Sequence, residues 1–236
     1  MKHKMLLTTQ NAKTSKGEDL GYLTGILYMA PADSVNGVNV CKFASKGCKA
    51  ACLYTAGRGK FNSVKKARIA KTELFRDNLE FFKASLVWSI ESVIRKATKQ
   101  GLKPCIRLNG TSDISWEEVV IKDNKNIFEL FPSIQFYDYT PNFTRVKALT
   151  GHWSNYHLTF SRKESKANHL QAEKLLSMGV NVAAVYSDVS RAVEKLNAID
   201  GDLHDLRFLD EKGKVVALKA KGDAKKDKSG FVIWND

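Results

Sequence analysis

Residues 20–30 read Leu-Gly-Tyr-Leu-Thr-Gly-Ile-Leu-Tyr-Met-Ala, an apolar run rich in β-formers around Gly21 and Gly25. This predicts a buried strand that Pro31 ends. The polar residues before it predict an extended N-terminal arm over 1–19, with a turn within 6–17. After residue 60 the period changes. Asn62 or Ser63 can cap a helix running to about Asp77, and a second helix fills about 78–100 before Gly101. Leu79, Phe82, Leu86, Ile90 and Val93 keep a helical spacing there and are assigned to packing. From Pro104 onward, strand-like runs at 105–108, 134–139, 156–160 and 180–186 alternate with helical candidates at about 116–131, 141–149, 165–178 and 188–197. Strands alternating with helices imply βαβ units and a parallel sheet. The expected fold is a single α/β domain over 1–236, a partial or complete TIM-type barrel or else a doubly wound sheet. Two late runs, 206–209 and 215–220, are expected to complete it as an edge hairpin around Lys212-Gly213. The segment 206–236 thus holds edge strands and a basic tail.

The stretch following the first strand carries the strongest chemical signal. Cys41, Cys48 and Cys52 are spaced C-x6-C-x3-C, and the fourth cysteine, Cys105, lies far away. The first residues have no sustained apolar core, so no signal peptide is expected, and no apolar run reaches membrane-span length. A reducing cytoplasmic setting follows as the expectation, and there gathered thiols indicate metal rather than disulfides. Three thiolates leave one iron of a 4Fe-4S cluster open to another ligand. The alternatives are a structural zinc completed by a distant His or by Cys105, and reduced cysteines with no metal.

Charge adds a partner. There are 38 Lys and Arg against 25 Asp and Glu, a net charge of +13, which suits a polyanion such as nucleic acid. The basic residues gather at 42–68 (Arg58 and Lys60 among them) and at 219–228, and in a closed sheet these two clusters would meet beside the cysteines. A lysine-rich solvated surface is the plain alternative. The oligomeric state is not legible.

Parallel α/β sheets hold ligands at the carboxyl ends of their strands. Those ends here carry Asn109-Gly110-Thr111-Ser112-Asp113, Asp138-Tyr-Thr, Ser161-Arg162 and Ser187-Asp188. Asp113, Asp138 and Asp188 are the catalytic candidates; Arg107, His157, Ser161 and Arg162 are the substrate-side candidates, with Arg58 and Lys60. Arg107 shares strand parity with Asn109, and Asp138 is the expected partner for its charge. Each strand-end residue also has an ordinary reading as a turn or helix cap, Asp188 above all.

A cysteine loop after the first strand and a Gly-containing polar turn after the next sheet strand resemble the radical-SAM enzymes. That resemblance implies an S-adenosylmethionine site at Asn109, Gly110, Thr111 and Asp113. The spacing x6 and x3 stands here where that superfamily has x3 and x2, and no Gly-Gly-Glu is present. More broadly, the chain resembles an uncharacterised phage and prophage family, gene product eighty-eight. The resemblance is carried by Asn11-Ala-Lys-Thr, Leu20-Gly-Tyr-Leu-Thr, the three cysteines with Thr55-Ala-Gly-Arg-Gly, and Arg107-Leu-Asn-Gly-Thr-Ser-Asp. Phe136-Tyr-Asp-Tyr-Thr, Tyr156-His-Leu-Thr-Phe-Ser and Ser229-Gly-Phe-Val extend it. This family implies no established activity.

The expectation is therefore an iron–sulfur enzyme modifying nucleic acid or a nucleotide. Two alternatives stand beside it. One is a 7-deazaguanine-type DNA transglycosylase with a zinc site and Asp113 or Asp138 as nucleophile. The other is a non-catalytic, zinc-stapled binder of nucleic acid or of a host protein.

Overall fold

The computed structural model describes residues 2–10 and 12–235. The resembling segment that starts at Asn11 therefore begins outside the described residues. In chain order the elements are β1 (Leu7–Thr8), α1 (Ala12–Glu18), β2 (Tyr22–Leu27), α2 (Lys46–Ala50), α3 (Asn62–Asp77), α4 (Leu79–Lys99) and β3 (Lys103–Arg107). There follow α5 (Ile127–Leu130), β4 (Gln135–Thr140), α6 (Phe143–Leu149), β5 (Tyr156–Ser161), α7 (Lys166–Ser177) and β6 (Val182–Tyr186). Last come α8 (Val189–Leu196), β7 (Ile199–Asp200), β8 (Val215–Lys219) and β9 (Val232–Ile233). The strands form one nine-stranded, mostly parallel sheet in the order β1-β2-β3-β4-β5-β6-β8-β7, with β9 on β6. Among the described residues no ladder joins β1 to β7, so the sheet is not closed.

Contacts divide the chain into two compact units, residues 1–42, 62–138 and 153–157 in the first, and 43–61, 139–152 and 158–236 in the second. In the first unit, β1 runs antiparallel to β2 (Leu7↔Leu27), and β2 pairs in parallel with β3 from Tyr22↔Lys103 to Ile26↔Arg107. Of the residues expected to pack on α4, Phe82, Leu86, Ile90 and Val93 are buried, as is Ala97, each at most 2% exposed, whereas Leu79 at the helix start is exposed. Burying the four large side chains among them is worth on the order of 10 kcal/mol before chain entropy is charged. Gly25 of β2 allows the close approach, since a Cβ there would lie 2.9 Å from Val93 Cγ2. Two serines share this buried face. Ser85 Oγ accepts from Lys4 N at 3.3 Å, and Ser89 Oγ accepts from Leu6 N at 2.9 Å. They supply the partners that the N-terminal segment's amides need once out of water.

In the second unit, β6 is the hub. It pairs in parallel with β8 along its whole length, from Val182↔Val215 to Tyr186↔Lys219. Its other edge takes β5 at Phe160↔Val182 and Ser161↔Ala183, then β9 at Val185↔Val232 and Tyr186↔Ile233. Strand β5 thus leaves the sheet after Ser161 and β9 occupies the vacated edge. Ala184, Tyr186, Val189, Ala192, Ala198 and Ala217 form the core between this sheet and α8.

The structure corrects three expectations. The N-terminal arm contains β1 and α1. The single helix expected over 116–131 is a 3-10 turn at Trp116–Glu118 and a short α5. A tight turn separates them, closed by the Lys122↔Lys125 bridge with Asp123 and Asn124 at positive φ. Finally, the late hairpin does not form: 206–209 contains a 3-10 turn (Arg207–Leu209), and β8 lies between β6 and β7, parallel to both.

Lys71 of α3 gives a test of the first unit's packing. Its ammonium donates to Leu6 O at 2.7 Å, and burial, with the nearby Arg68 charge, lowers its pKa to about 8. A base whose folded pKa is depressed is charged at a cost below that value. Stability is gained as pH rises through about 8 toward the unfolded value near 10.5. Urea unfolding of wild type and Lys71→Met at pH 7.5 and 9.5 should show the difference moving in favour of wild type by on the order of 2 kcal/mol. A difference independent of pH would mean that Lys71 keeps its charge freely solvated.

Candidate functional site

At the carboxyl end of β3 the chain turns sharply through Asn109–Asp113, and the turn is organised by a buried carboxylate. Asp138, wholly enclosed on β4, accepts from Asn109 N at 2.6 Å, from Asn109 Nδ2 at 3.3 Å and from Tyr156 Oη at 3.4 Å. Asn109 is 2% exposed, and its Oδ1 accepts from Ser112 Oγ (2.8 Å) and Ile114 N (2.9 Å) while Nδ2 also donates to Ile114 O. Thr111 Oγ1 donates to Met29 O at 2.6 Å. Gly110 has no space for a side chain: a Cβ would meet Leu27 O at 2.8 Å and Ile26 Cγ2 at 2.7 Å. The side-chain groups of Asn109 and Thr111, two of the residues expected at a cofactor, thus bond to the protein itself, as does neighbouring Ser112. Asp138 anchors that turn and presents no surface to a substrate. Asp113 is partly exposed and its amide donates to Val40 O at 2.7 Å. Cys41, nearby, places its thiol 3.6 Å from Thr111 O. Arg107 is buried at the end of β3.

The other two clustered thiols belong to the second unit. Cys48 sits on α2 and Cys52 directly precedes the 3-10 turn Leu53–Thr55. Ser45 caps α2 by accepting from Cys48 N at 3.1 Å, and donates its own hydroxyl to Glu164 Oε2 at 2.6 Å. Glu164 Oε1 accepts from Gly47 N at 3.0 Å. Burial works against ionisation of Glu164, but the Ser45 hydroxyl, the Gly47 amide and the Lys163 charge hold its carboxyl below the usual range. A side chain at Gly47 would collide with Ser229 Oγ at 2.5 Å and with Glu164. Glu164 was not among the expected site residues. Its one sequence signal is that it is the first carboxylate after the strand ending at Ser161.

The four cysteines fall into two kinds. Cys41, Cys48 and Cys52 are outside any disulfide and partly exposed, whereas Cys105 is fully buried, 3.2 Å from Thr24 Oγ1. Among the described residues, no three His, Cys, Asp or Glu side chains are grouped so as to hold a metal ion, so any ligand set rests on chain spacing and thiol chemistry.

The basic C-terminal segment packs directly on the cysteine segment of the same unit. Asp223 N donates to Thr55 Oγ1 at 3.3 Å, and Ala51, Ala220, Ala224 and Val232 form one buried cluster. Exposed around this seam are Lys46, Lys49, Arg58 and Lys60 from one segment, and Lys219, Lys225, Lys226 and Lys228 from the other. Asp188 is exposed and caps α8, accepting from Arg191 N at 3.2 Å, the ordinary role open to it. Ser161 and Arg162 lie at the carboxyl end of β5, and His157 in its amino-terminal half. Among the described residues no helix is long and apolar enough to cross a membrane.

A mixed α/β sheet, mostly parallel and carrying polar turns at its strand ends and a cysteine-bearing loop after β2, defines the class. The chain belongs to the Gene product 88 family, whose model it matches over residues 5–235. Comparison with curated proteins and with solved structures gives no match.

The anchoring role of Asp138 is measurable. Asp138→Asn turns a two-oxygen acceptor into a group with one donor end facing donors, and should cost about 2–3 kcal/mol in urea unfolding, with Tyr156→Phe costing about 1 kcal/mol. A stable Asp138→Asn protein, within about 0.5 kcal/mol of wild type, would free this carboxylate for another role.

Proposed function

We propose that this protein is a phage-type iron–sulfur enzyme acting on nucleic acid or a nucleotide, with Cys41, Cys48 and Cys52 as cluster ligands. The observation that carries the reading is the seam in the second unit, where the basic C-terminal segment is seated on the segment that bears Cys48 and Cys52. Thiols and positive field then share one surface, which is what a metal enzyme for a polyanion needs. The donor chemistry fits: three partly exposed thiols outside any disulfide are of the type that binds metal, and the enclosed Cys105 cannot join them without opening the core. When bound, such a cluster offers an open iron position or an electron. The chain's own residues do the rest. Ser45 and Glu164 fix the first turn of α2, and the lysines around the seam attract phosphate. S-adenosylmethionine is left out of this reading, because the side chains of Asn109 and Thr111 bond within the protein. We read the sheet as the wall of a TIM-type barrel, since β2 to β6 follow one another without the reversal of a doubly wound sheet.

Metal analysis separates this from its rivals. Protein purified without oxygen should be brown and contain iron and acid-labile sulfide. Cys41→Ala, Cys48→Ala and Cys52→Ala should each abolish both, while Cys105→Ala should keep them. Colourless protein with one zinc, dependent on Cys105 or a histidine, would instead favour the transglycosylase or the stapled binder.

The seam predicts a salt-dependent affinity for single-stranded DNA. Log affinity should fall linearly with log salt, with slope about −0.7 per phosphate neutralised. Reversing Lys225 and Lys226 together, or Arg58 and Lys60 together, should flatten that slope by roughly one to two units. A slope unmoved by both pairs would leave the excess charge a solvated surface.

A further inference from the structure

Strand β5 leaves the sheet at Arg162, and β9 enters beside β6 just beyond it. Arg162 joins the two: its backbone N donates to Ala183 O at 2.9 Å, and its Nη1 donates to both Gly230 O and Phe231 O at 3.1 Å. The guanidinium is thereby fixed in direction by two carbonyls of the loop leading into β9. Its Nε and Nη2 make no hydrogen bond to any described residue, and neither is shut off from solvent. Among the described residues no carboxylate lies within 4.0 Å of it. The acidic groups whose charge acts on it are the Tyr186 phenol and then Glu164, and Glu164 is already held by the Ser45 hydroxyl and the Gly47 amide. A half-buried guanidinium with its fork open and no counter-ion is costly unless an anion completes it.

We propose that Arg162 is the receptor for a phosphate group, a mono- or diester, bound through its free Nε–Nη2 edge at the carboxyl end of β5, beside β6. This deepens the reading of the protein as one acting on nucleic acid or a nucleotide and rests on it for the choice of ligand. Three features select phosphate. The free edge of a guanidinium offers two parallel donors that match two oxygens of one anion. The position is the carboxyl end of β5, a strand of a parallel pair, and such sheets take ligands at that end of their strands. The neighbouring strand end carries positive charge, since Lys219 of β8 is in register with Tyr186 of β6 and is exposed. Arg162 differs from the lysines around the seam, which are exposed, in that two carbonyls hold its guanidinium. Those lysines supply attraction, whereas Arg162 supplies a defined place.

The test uses the full chain with two probes, inorganic pyrophosphate and a fluorescein-labelled 20-nucleotide single-stranded DNA. Pyrophosphate should raise the Tm of wild type, and Arg162→Gln should abolish the rise. Arg162→Lys keeps a donor for the two carbonyls but lacks the fork. It should fold like wild type and lose most of the rise, which covers the case in which Arg162→Gln fails to fold. Affinity for the DNA should fall about tenfold in Arg162→Lys, with the salt slope reduced by about one. DNA binding lost together with the pyrophosphate response identifies a phosphate of the polymer. A pyrophosphate response without DNA binding keeps the Arg162 site, assigns it to a free nucleotide and removes the polymer from the proposed function. An equal pyrophosphate response in wild type and Arg162→Lys, or none in wild type, overturns the Arg162 site, while DNA binding still sensitive to Lys225 and Lys226 would leave the broader reading standing.

Discussion

A parallel sheet sends its chain out of every strand at one edge, and the backbone groups released there must find partners without the next strand's help. This molecule meets that demand with side chains. In the first unit the enclosed carboxylate of Asp138 takes the Asn109 amide at the end of β3, and Asn109 passes the support on to Ser112 and Ile114. In the second unit Arg162 holds the carbonyls of Gly230 and Phe231. Asn235 there accepts from Asp188 N and donates to Asp188 O. The polar residues at the strand ends are therefore not all equivalent. Those whose every group faces the protein are scaffolding; one with a group left facing water is available for a ligand.

That distinction explains what was legible in the sequence. The apolar run at 20–30 and the spacing of Phe82, Leu86, Ile90 and Val93 are consequences of burial, and burial leaves a periodic trace. Helix α1 leaves none. Its buried positions among those described are Thr14 and Gly17, small and polar or absent, with the Thr14 hydroxyl donating to Thr9 O. The break between Trp116 and Ile127 was signalled by Asp123-Asn124, a turn pair whose positive φ values the backbone confirms. The residues at 206–209 are apolar around one arginine, but Arg207 is fully buried and carries its chain into a 3-10 turn, with His204 O accepting from its Nη2 and Asp210 Oδ2 lying 3.2 Å from its Nη1. A buried arginine has no hydropathy signature.

The candidate site was legible as composition and much less as role. Polar residues do stand at the carboxyl ends of β3, β4, β5 and just after β6, but which of them point outward depends on partners far along the chain. Asp138 meets Asn109 across 29 residues, and Arg162 meets Phe231 across 69. Glu164, tied to Ser45 across 119 residues, is invisible to any local pattern. Such pairings are set by topology, and no local motif carries them.

The seam in the second unit shows how small residues can organise charge. Ala51, Ala220 and Ala224 meet in one buried cluster, and Gly222 sits at φ +57 with Thr55 Oγ1 2.9 Å from where its Cβ would be. Each is a position where a longer side chain would wedge the two segments apart. Close packing of backbones brings segments separated by more than 160 residues to hydrogen-bond distance, as Asp223 N on Thr55 Oγ1 records. The lysines on either side are then neighbours because of what lies beneath them, and Lys221 among them is held by Asp202. A surface that gathers an excess of cations costs self-repulsion in the free protein, and that cost is relieved when an anion binds.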